Sequence, residues 1–239
     1  MAQRSGDDRV VGGVPSYLAV PAGSGPWPGV VVVHDALGMT TDLRHQADWL
    51  AAHGFLAAAP DLYHRGGRLS CMVRTLRSFA AGEGAAFDDL EAVRAALADR
   101  DDCTGRVAII GFCMGGGFAM ALAPTGRYAA ASANYGTADD RTMEALADAC
   151  PVVASYGGRD RSLRGAAEKL DALLTVHGVP HDVHEYPDAG HGFLNDHGRG
   201  EVPLWASLAG RYARTGYHEP SAADARRRIL AFFDRYLTG

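Results

Sequence analysis

The sequence lacks the features that would direct it to a membrane or a nucleic acid. No run approaches the ~18 consecutive apolar residues of a membrane-spanning helix, and the first residues, MAQRSGDDRVV, contain no apolar core of signal-peptide length. The one basic run, Arg226 to Arg228, lies inside a helical pattern, and the net charge is −5. We therefore expect a soluble, cytoplasmic protein that binds neither nucleic acid nor membrane.

Metal and cofactor motifs are also absent. The four cysteines, Cys71, Cys103, Cys113 and Cys150, are far apart and form no C-x-x-C pair, so we expect reduced thiols. There is no H-E-x-x-H motif, and Gly12-Gly13 is not followed by the helix and lysine of a phosphate-binding loop. The sequence therefore predicts no metal and no cofactor.

What is present is enough apolar material for one core, since 47% of the 239 residues are hydrophobic. Short apolar, β-branched runs alternate with amphipathic segments, which predicts an α/β fold. We expect a mostly parallel sheet of about seven or eight strands with helices on both faces. The whole chain, residues 1–239, is predicted to be a single domain without a cap domain, with residues 1–14 irregular or disordered. Monomer and homodimer both remain open.

The periodicity of the apolar residues gives the predicted elements. The predicted strands are Ser16–Val20, Gly29–His34, Phe55–Ala59, Arg106–Gly111, Ala129–Tyr135, Pro151–Tyr156 and Asp182–Tyr186. The predicted helices are Asp42–His53, Cys71–Ala80, Gly84–Asp99, Met114–Ala123, Arg141–Ala149, Arg164–His177 and Ser221–Leu237. Ser221 and Asp224 are predicted to form a capping box. The connection from Asn195 to Pro220 resists assignment except for a short helix at Val202–Arg211, and we expect it to form one wall of a pocket.

The most informative segment is Arg106 to Gly117, RVAIIGFCMGGG. It matches the nucleophile elbow G-x-S-x-G, with Cys113 in the place of the serine. Gly111 and Gly115 fill the two positions at which a side chain would collide with a neighbouring strand or helix. The N-terminus of the following helix favours the reactive thiolate. The alternative is that Cys113 is a small buried apolar residue.

Two later loops supply the partners that a cysteine nucleophile needs. Asp160 follows a strand through two glycines, and His191 lies between glycines after the last predicted strand. The order nucleophile, acid, histidine is that of α/β-hydrolases, so we predict a triad of Cys113, His191 and Asp160. Separately, Asp160 could be a helix N-cap, and His191 is one of ten histidines.

An oxyanion hole in this fold uses the backbone N–H after the nucleophile and one from the loop after an early strand. Met114 is the first candidate donor and Ala36 the second. The pocket that selects the acyl group is predicted to have walls formed by Tyr63, Phe79, Tyr135, Phe193 and the connection that begins at Asn195.

Together these residues resemble the dienelactone hydrolase family, compact α/β-hydrolases with a Cys-His-Asp triad. The resemblance covers roughly residues 15 to 237. The shared segments are Gly111–Gly116, Pro60–Tyr63, Asn134–Gly136, Gly157–Asp160 and Ala189–Phe193.

Two positions depart from the family pattern. Family members typically carry a glutamate at the position of Asp35, where it is thought to accept the thiol proton. The resemblance therefore implies a catalytic Asp35, although a structural Asp35 would leave His191 as the sole base. Dienelactone-cleaving members carry a carboxylate-binding arginine at the position of Asn195, which puts dienelactone itself in doubt as the substrate.

The resulting prediction is a carboxylic ester hydrolase that cleaves a small ester or lactone through a cysteine acyl-enzyme. A broad carboxylesterase or thioesterase is the alternative within the enzyme class. Outside hydrolysis, the alternatives are a redox role for Cys113 and a non-catalytic binding protein that kept the fold.

Overall fold

Eight strands form one sheet in the computed structural model, which describes residues 6–198, 200–202 and 212–238. The strands are β1 (Gly6–Val11), β2 (Val14–Ala19), β3 (Trp27–Val33), β4 (Leu56–Pro60), β5 (Cys103–Phe112), β6 (Ala131–Asn134), β7 (Val152–Gly157) and β8 (His181–Tyr186). Their spatial order is β1-β2-β4-β3-β5-β6-β7-β8. The β1–β2 and β2–β4 pairs are antiparallel, and the other neighbours are parallel. The predicted α/β fold with a mostly parallel sheet is confirmed.

Seven α-helices lie in the described part of the chain. They are α1 (Thr41–Ala52), α2 (Arg68–Ala81), α3 (Ala85–Ala98), α4 (Met114–Leu122), α5 (Asp140–Ala145), α6 (Ala166–Val176) and α7 (Glu219–Leu237). The four consecutive valines Val30–Val33 of β3 are all fully buried, so both faces of the central sheet are covered. Within the described ranges, no helix has the length and apolar character needed to cross a membrane.

The N-terminal region corrects one prediction. Residues 6–14, expected to be irregular, form a β-hairpin in which β1 turns at Gly12 and Gly13 into β2. Both glycines have positive φ, as a tight hairpin turn of this kind requires. Sequence reasoning missed β1 because this edge strand is mostly exposed and carries charged residues, so it shows no apolar alternation.

Two predicted helix features also differ. Helix α7 begins at Glu219 with Pro220 in its first turn, so Ser221 lies inside the helix and the predicted capping box is wrong. Ser221 Oγ instead bonds His218 Nδ1 at 2.8 Å, and the Asp224 carboxylate accepts from the Tyr186 hydroxyl at 2.9 Å. The helix predicted at residues 202–211 lies outside the described residues apart from position 202.

The sheet brings the chain's chemistry to one edge. β3 and β5 are central neighbours, and Val33 pairs with Gly111 at their carboxyl ends. The loops after β3, β5, β7 and β8 therefore leave the same edge of the parallel sheet, where ligands bind in open α/β folds.

Candidate active site

Cys113 lies on a strained turn between β5 and α4. Its φ is 53° and its ψ −113°, an unfavourable conformation for a residue with a side chain. A Cβ at Gly111 would lie 1.9 Å from the Gly115 carbonyl oxygen, and a Cβ at Gly115 would lie 2.3 Å from that of Val33. Only glycine fits at either position, because the obstacle is backbone. The thiol is partly exposed, so it is not the buried apolar residue of the alternative interpretation.

His191 connects the other two predicted triad residues. Its Nδ1 donates a hydrogen bond of 2.6 Å to Asp160 Oδ2, and the ring is close enough to Cys113 for that residue to raise the pKa of His191. Because Nδ1 is engaged by the carboxylate, Nε2 is the nitrogen left for the sulfur. The structure thus brings together three residues that are far apart in the sequence.

The electrostatics of this group favour a protonated His191. Burial by itself would lower the pKa of His191, but hydrogen bonds and charge interactions with Asp160 and Cys113 raise it to about 10. Burial opposes ionisation of Asp160 in the same way, and hydrogen bonds from His191 and Ser162 still hold the pKa of that carboxyl below its usual value. The protonated ring is the form that can give a proton to a leaving group.

Asp160 performs two tasks with its two carboxylate oxygens. Oδ1 accepts from the Ser162 backbone N–H at 2.9 Å and from the Ser162 hydroxyl at 2.5 Å, which caps the short 3-10 helix Arg161–Leu163. Oδ2 accepts from His191. Asp160 is therefore both the N-cap of the short helix and the hydrogen-bond partner of His191.

The two predicted oxyanion donors lie on adjacent strand ends. Met114 is the first residue of α4, where a backbone N–H has no partner inside the helix. Ala36 belongs to the loop directly after β3, residues 34–38, which we call the oxyanion loop.

Asp35 is occupied by partners on both of its oxygens. Its Oδ1 accepts from the Leu37 N–H at 2.7 Å, and its Oδ2 pairs with His197 Nε2 at 2.9 Å. Burial would lower the pKa of His197, but the hydrogen bond and charge of Asp35 raise it. Sequence reasoning missed His197, because it lies in the unassigned connection after Asn195 and nothing local marks it as a partner of Asp35.

Of the predicted pocket residues, Tyr63 borders an open cavity. This cavity has a volume of about 490 Å³ and lies beside the oxyanion loop; its lining includes Leu37, Met39, Asp61, Tyr63 and Glu201. Phe79 is partly buried and packs against Phe118, with ring centroids 5.3 Å apart.

Tyr135, Phe193 and Asn195 are instead buried below the surface. The Tyr135 ring lies 5.2 Å from the His191 ring and 5.6 Å from the Phe193 ring. The Asn195 amide donates to Asp42 Oδ2 at 2.6 Å, and its Oδ1 accepts from the Tyr135 hydroxyl. Asn195 thus links the first turn of α1 to the residue after β6.

The other cysteines differ from Cys113. Cys71 and Cys103 are buried, and burial raises the pKa of the Cys150 thiol to about 12. Burial also raises the pKa of Cys103. Across residues 6–198, 200–202 and 212–238, no group of three or more His, Cys, Asp or Glu side chains could hold a metal ion.

The strand order and the Cys113 elbow define an α/β-hydrolase, a class that the solved structures also support. A crystal structure from Klebsiella pneumoniae, described as a "Putative Dienelactone Hydrolase", superposes with a TM-score of 0.75 at 28% identity and covers 93% of each chain. The chain belongs to the dienelactone hydrolase family, whose sequence pattern matches residues 14–237.

Curated relatives agree with this assignment. The chain is 30% identical over 257 residues to the "Putative carboxymethylenebutenolidase" of Escherichia coli K12, covering 96% of this chain and 89% of the relative. It is 28% identical over 194 residues to the carboxymethylenebutenolidase of Pseudomonas putida, covering 77% of this chain and 82% of the relative. The chain is therefore a hydrolase of the ester- and lactone-cleaving type.

Proposed function

We propose that the chain hydrolyses a small ester or lactone through an acyl-enzyme on Cys113. The observation that carries the proposal is the strained, partly exposed Cys113 on the elbow, close to a His191 whose Nδ1 donates to the buried Asp160. A nucleophile, a base and a group that orients the base, within hydrogen-bonding reach, are the parts of nucleophilic catalysis.

The reaction proceeds in two halves. The Cys113 thiolate attacks the carbonyl carbon, and the backbone N–H groups of Met114 and Ala36 stabilise the negative oxygen that forms. The imidazolium of His191 then gives its Nε2 proton to the leaving oxygen as the C–O bond breaks, which leaves a thioester. Water attacks the thioester while His191 takes its proton, and the acid product and the Cys113 thiolate are released. Asp160 holds the ring throughout.

The substrate that fits best is uncharged. The Asn195 side chain is engaged by Asp42 and Tyr135, so it does not replace an arginine as a carboxylate ligand. A panel of matched lactones and aryl esters, with and without a carboxylate, should show higher kcat/KM for the uncharged members. A strong preference for the carboxylate would contradict this choice of substrate class.

The mechanism is tested by replacing the nucleophile. Cys113→Ala should abolish turnover of a small chromogenic ester, a loss of about 10⁴-fold or more, and leave the thermal midpoint nearly unchanged. Mass spectrometry of the wild-type protein, quenched with a slow ester, should find one acyl group on the peptide that contains Cys113. Cys150→Ala is the matched control, because that thiol is held protonated by burial. Hydrolysis retained by Cys113→Ala would refute the acyl-enzyme.

A further inference from the structure

The peptide plane between Asp35 and Ala36 is held by two donors to the Asp35 carbonyl oxygen, the His34 ring and the Gly38 N–H at 3.2 Å. The buried His34 ring lies with Nδ1 2.6 Å from the Asp35 carbonyl oxygen, while its Nε2 lies 3.3 Å from the Leu62 backbone N–H. A carbonyl only accepts and a backbone N–H only donates, so Nδ1 must carry the proton and Nε2 must be bare. His34 is therefore a neutral ring locked in one tautomer between two backbone segments.

The next peptide plane, between Ala36 and Leu37, is fixed by two other side chains. The Tyr63 hydroxyl donates to the Ala36 carbonyl oxygen at 3.1 Å. The Leu37 N–H donates to Asp35 Oδ1 at 2.7 Å, and the second oxygen of this carboxylate is held by His197. Side chains thus bond to both peptide planes that meet at Ala36, and the Gly38 N–H adds a backbone bond to the first.

We propose that His34 is a positioning residue that, with Tyr63 and the Asp35 carboxylate, aims the Ala36 N–H at the substrate carbonyl oxygen. The C=O and N–H of a trans peptide point in opposite directions, so a carbonyl turned toward His34 turns the Ala36 N–H away from it. This inference rests on the proposed function. It also assigns Asp35 to loop geometry, because both of its oxygens are bonded, and leaves His191 as the only base.

The first test compares two amides at position 34. In His34→Asn the amide nitrogen takes the place of Nδ1 and keeps the donor to the Asp35 carbonyl, whereas in His34→Gln the amide lies near the Nε2 position and this donor is lost. We expect His34→Gln to lower kcat about 10- to 100-fold with little change in KM, and His34→Asn to lose clearly less. Equal losses in the two variants would overturn the role of the Nδ1 donor.

Alkylation of Cys113 by iodoacetamide separates positioning from general damage. This reaction forms no oxyanion, so its rate should be the same in the wild type and in both His34 variants, with the modified peptide identified by mass spectrometry. If alkylation fell in step with kcat, His34 would have a merely structural role. Should His34→Gln fail to fold, Tyr63→Phe provides the same readout, with an expected loss in kcat of about 3- to 10-fold, as for one hydrogen bond.

Asp35 provides the sharpest distinction. Asp35→Asn keeps an oxygen to accept from the Leu37 N–H and should retain kcat within about fivefold, whereas Asp35→Ala should lose about 10- to 100-fold. If Asp35 took the thiol proton, both variants would be equally impaired. The wild type, tested in parallel for an acyl group on Cys113, separates the two proposals. If no acyl group forms on Cys113 of the wild type, the proposed function fails. If the acyl group forms but the His34 and Asp35 variants keep the wild-type kcat, only the positioning role is refuted.

Discussion

The elbow at Cys113 and the oxyanion loop at residues 34–38 leave neighbouring strands at the same level, yet different forces hold them. The elbow is fixed by backbone in contact with backbone, because Gly111 and Gly115 bring α4 against β3 and β5 at distances that exclude any side chain. The oxyanion loop is held by its own Gly38 N–H to Asp35 carbonyl bond and by side chains. These are its own His34 and, from distant segments, Tyr63 and His197.

This difference determines how each region responds to substitution. A Cβ added at Gly111 or Gly115 would lie about 2 Å from a backbone oxygen, and backbone cannot move aside as a flexible side chain can. A change at the elbow must therefore displace a strand or a helix. A hydrogen bond to the loop can be lost singly, at about 0.5–1.5 kcal/mol for a neutral pair, while the remaining bonds persist. We therefore expect large effects at the elbow and graded effects around the loop.

The largest effect is expected from Gly115→Ala. The new Cβ would lie 2.3 Å from the Val33 carbonyl oxygen, so the protein should lose more than about 4 kcal/mol of unfolding free energy or fail to fold. Gly67→Ala is the matched control: its φ is −66° and its Cβ meets nothing closer than 3.7 Å, so a change within about 0.5 kcal/mol is expected in urea unfolding. If Gly115→Ala had near wild-type stability, the elbow would tolerate substitution as the oxyanion loop does, and the proposed difference between the two regions would be wrong.

The next effect is on catalysis, and it comes from the acid that orients His191. Asp160→Asn should lower kcat by about 10³- to 10⁴-fold, as loss of the orienting acid does in related triads. It should also lower the pKa of His191 below about 10, because the carboxylate stabilises the imidazolium. NMR titration of the His191 ring measures this shift. Asp188→Asn, an exposed partner of Arg159, serves as the control and should leave both quantities unchanged.

The smallest effect on catalysis is expected from Asn195→Ala. The variant leaves the buried Asp42 and Tyr135 each without one partner, so it should cost about 1–3 kcal/mol of stability. KM for an uncharged ester should stay within about twofold, because the side chain is engaged in the interior. A large rise in KM with unchanged stability would mean that Asn195 contacts the substrate, as the sequence predicted.

The same contrast explains which parts of the site could be predicted from the sequence. Gly111, Cys113 and Gly115 lie within five residues, and their spacing alone indicates the turn. Asp160 and His191 were found because strand ends are visible as apolar runs and parallel strands share one edge. The pair of Asp35 and His197 joins residues 162 positions apart, and no periodicity reports such a contact.

Backbone conformation set a second limit on prediction. The strand predicted at Ala129–Tyr135 is shorter in the structure, Ala131–Asn134, and Tyr135 directly after it has a φ of 41°. Tyrosine favours strands and rarely adopts positive φ, so its propensity predicts the wrong conformation here. The buried contacts of its ring and hydroxyl with His191 and Asn195 outweigh that preference.

The pairing of Val33 with Gly111 has a consequence for how the enzyme can diversify. The two proposed oxyanion donors, the N–H groups of Met114 and Ala36, follow adjacent parallel strands. The separation of these strands is the ordinary inter-strand spacing, about 4.8 Å in any sheet. That spacing is common to all β-structure, so a loop mutation can turn the Ala36 N–H but cannot change the distance between the two strands. Changes in the connection after β8 that spare His197 are therefore expected to alter which acyl or alcohol groups are accepted, while the spacing of the two strands that carry the donors stays constant.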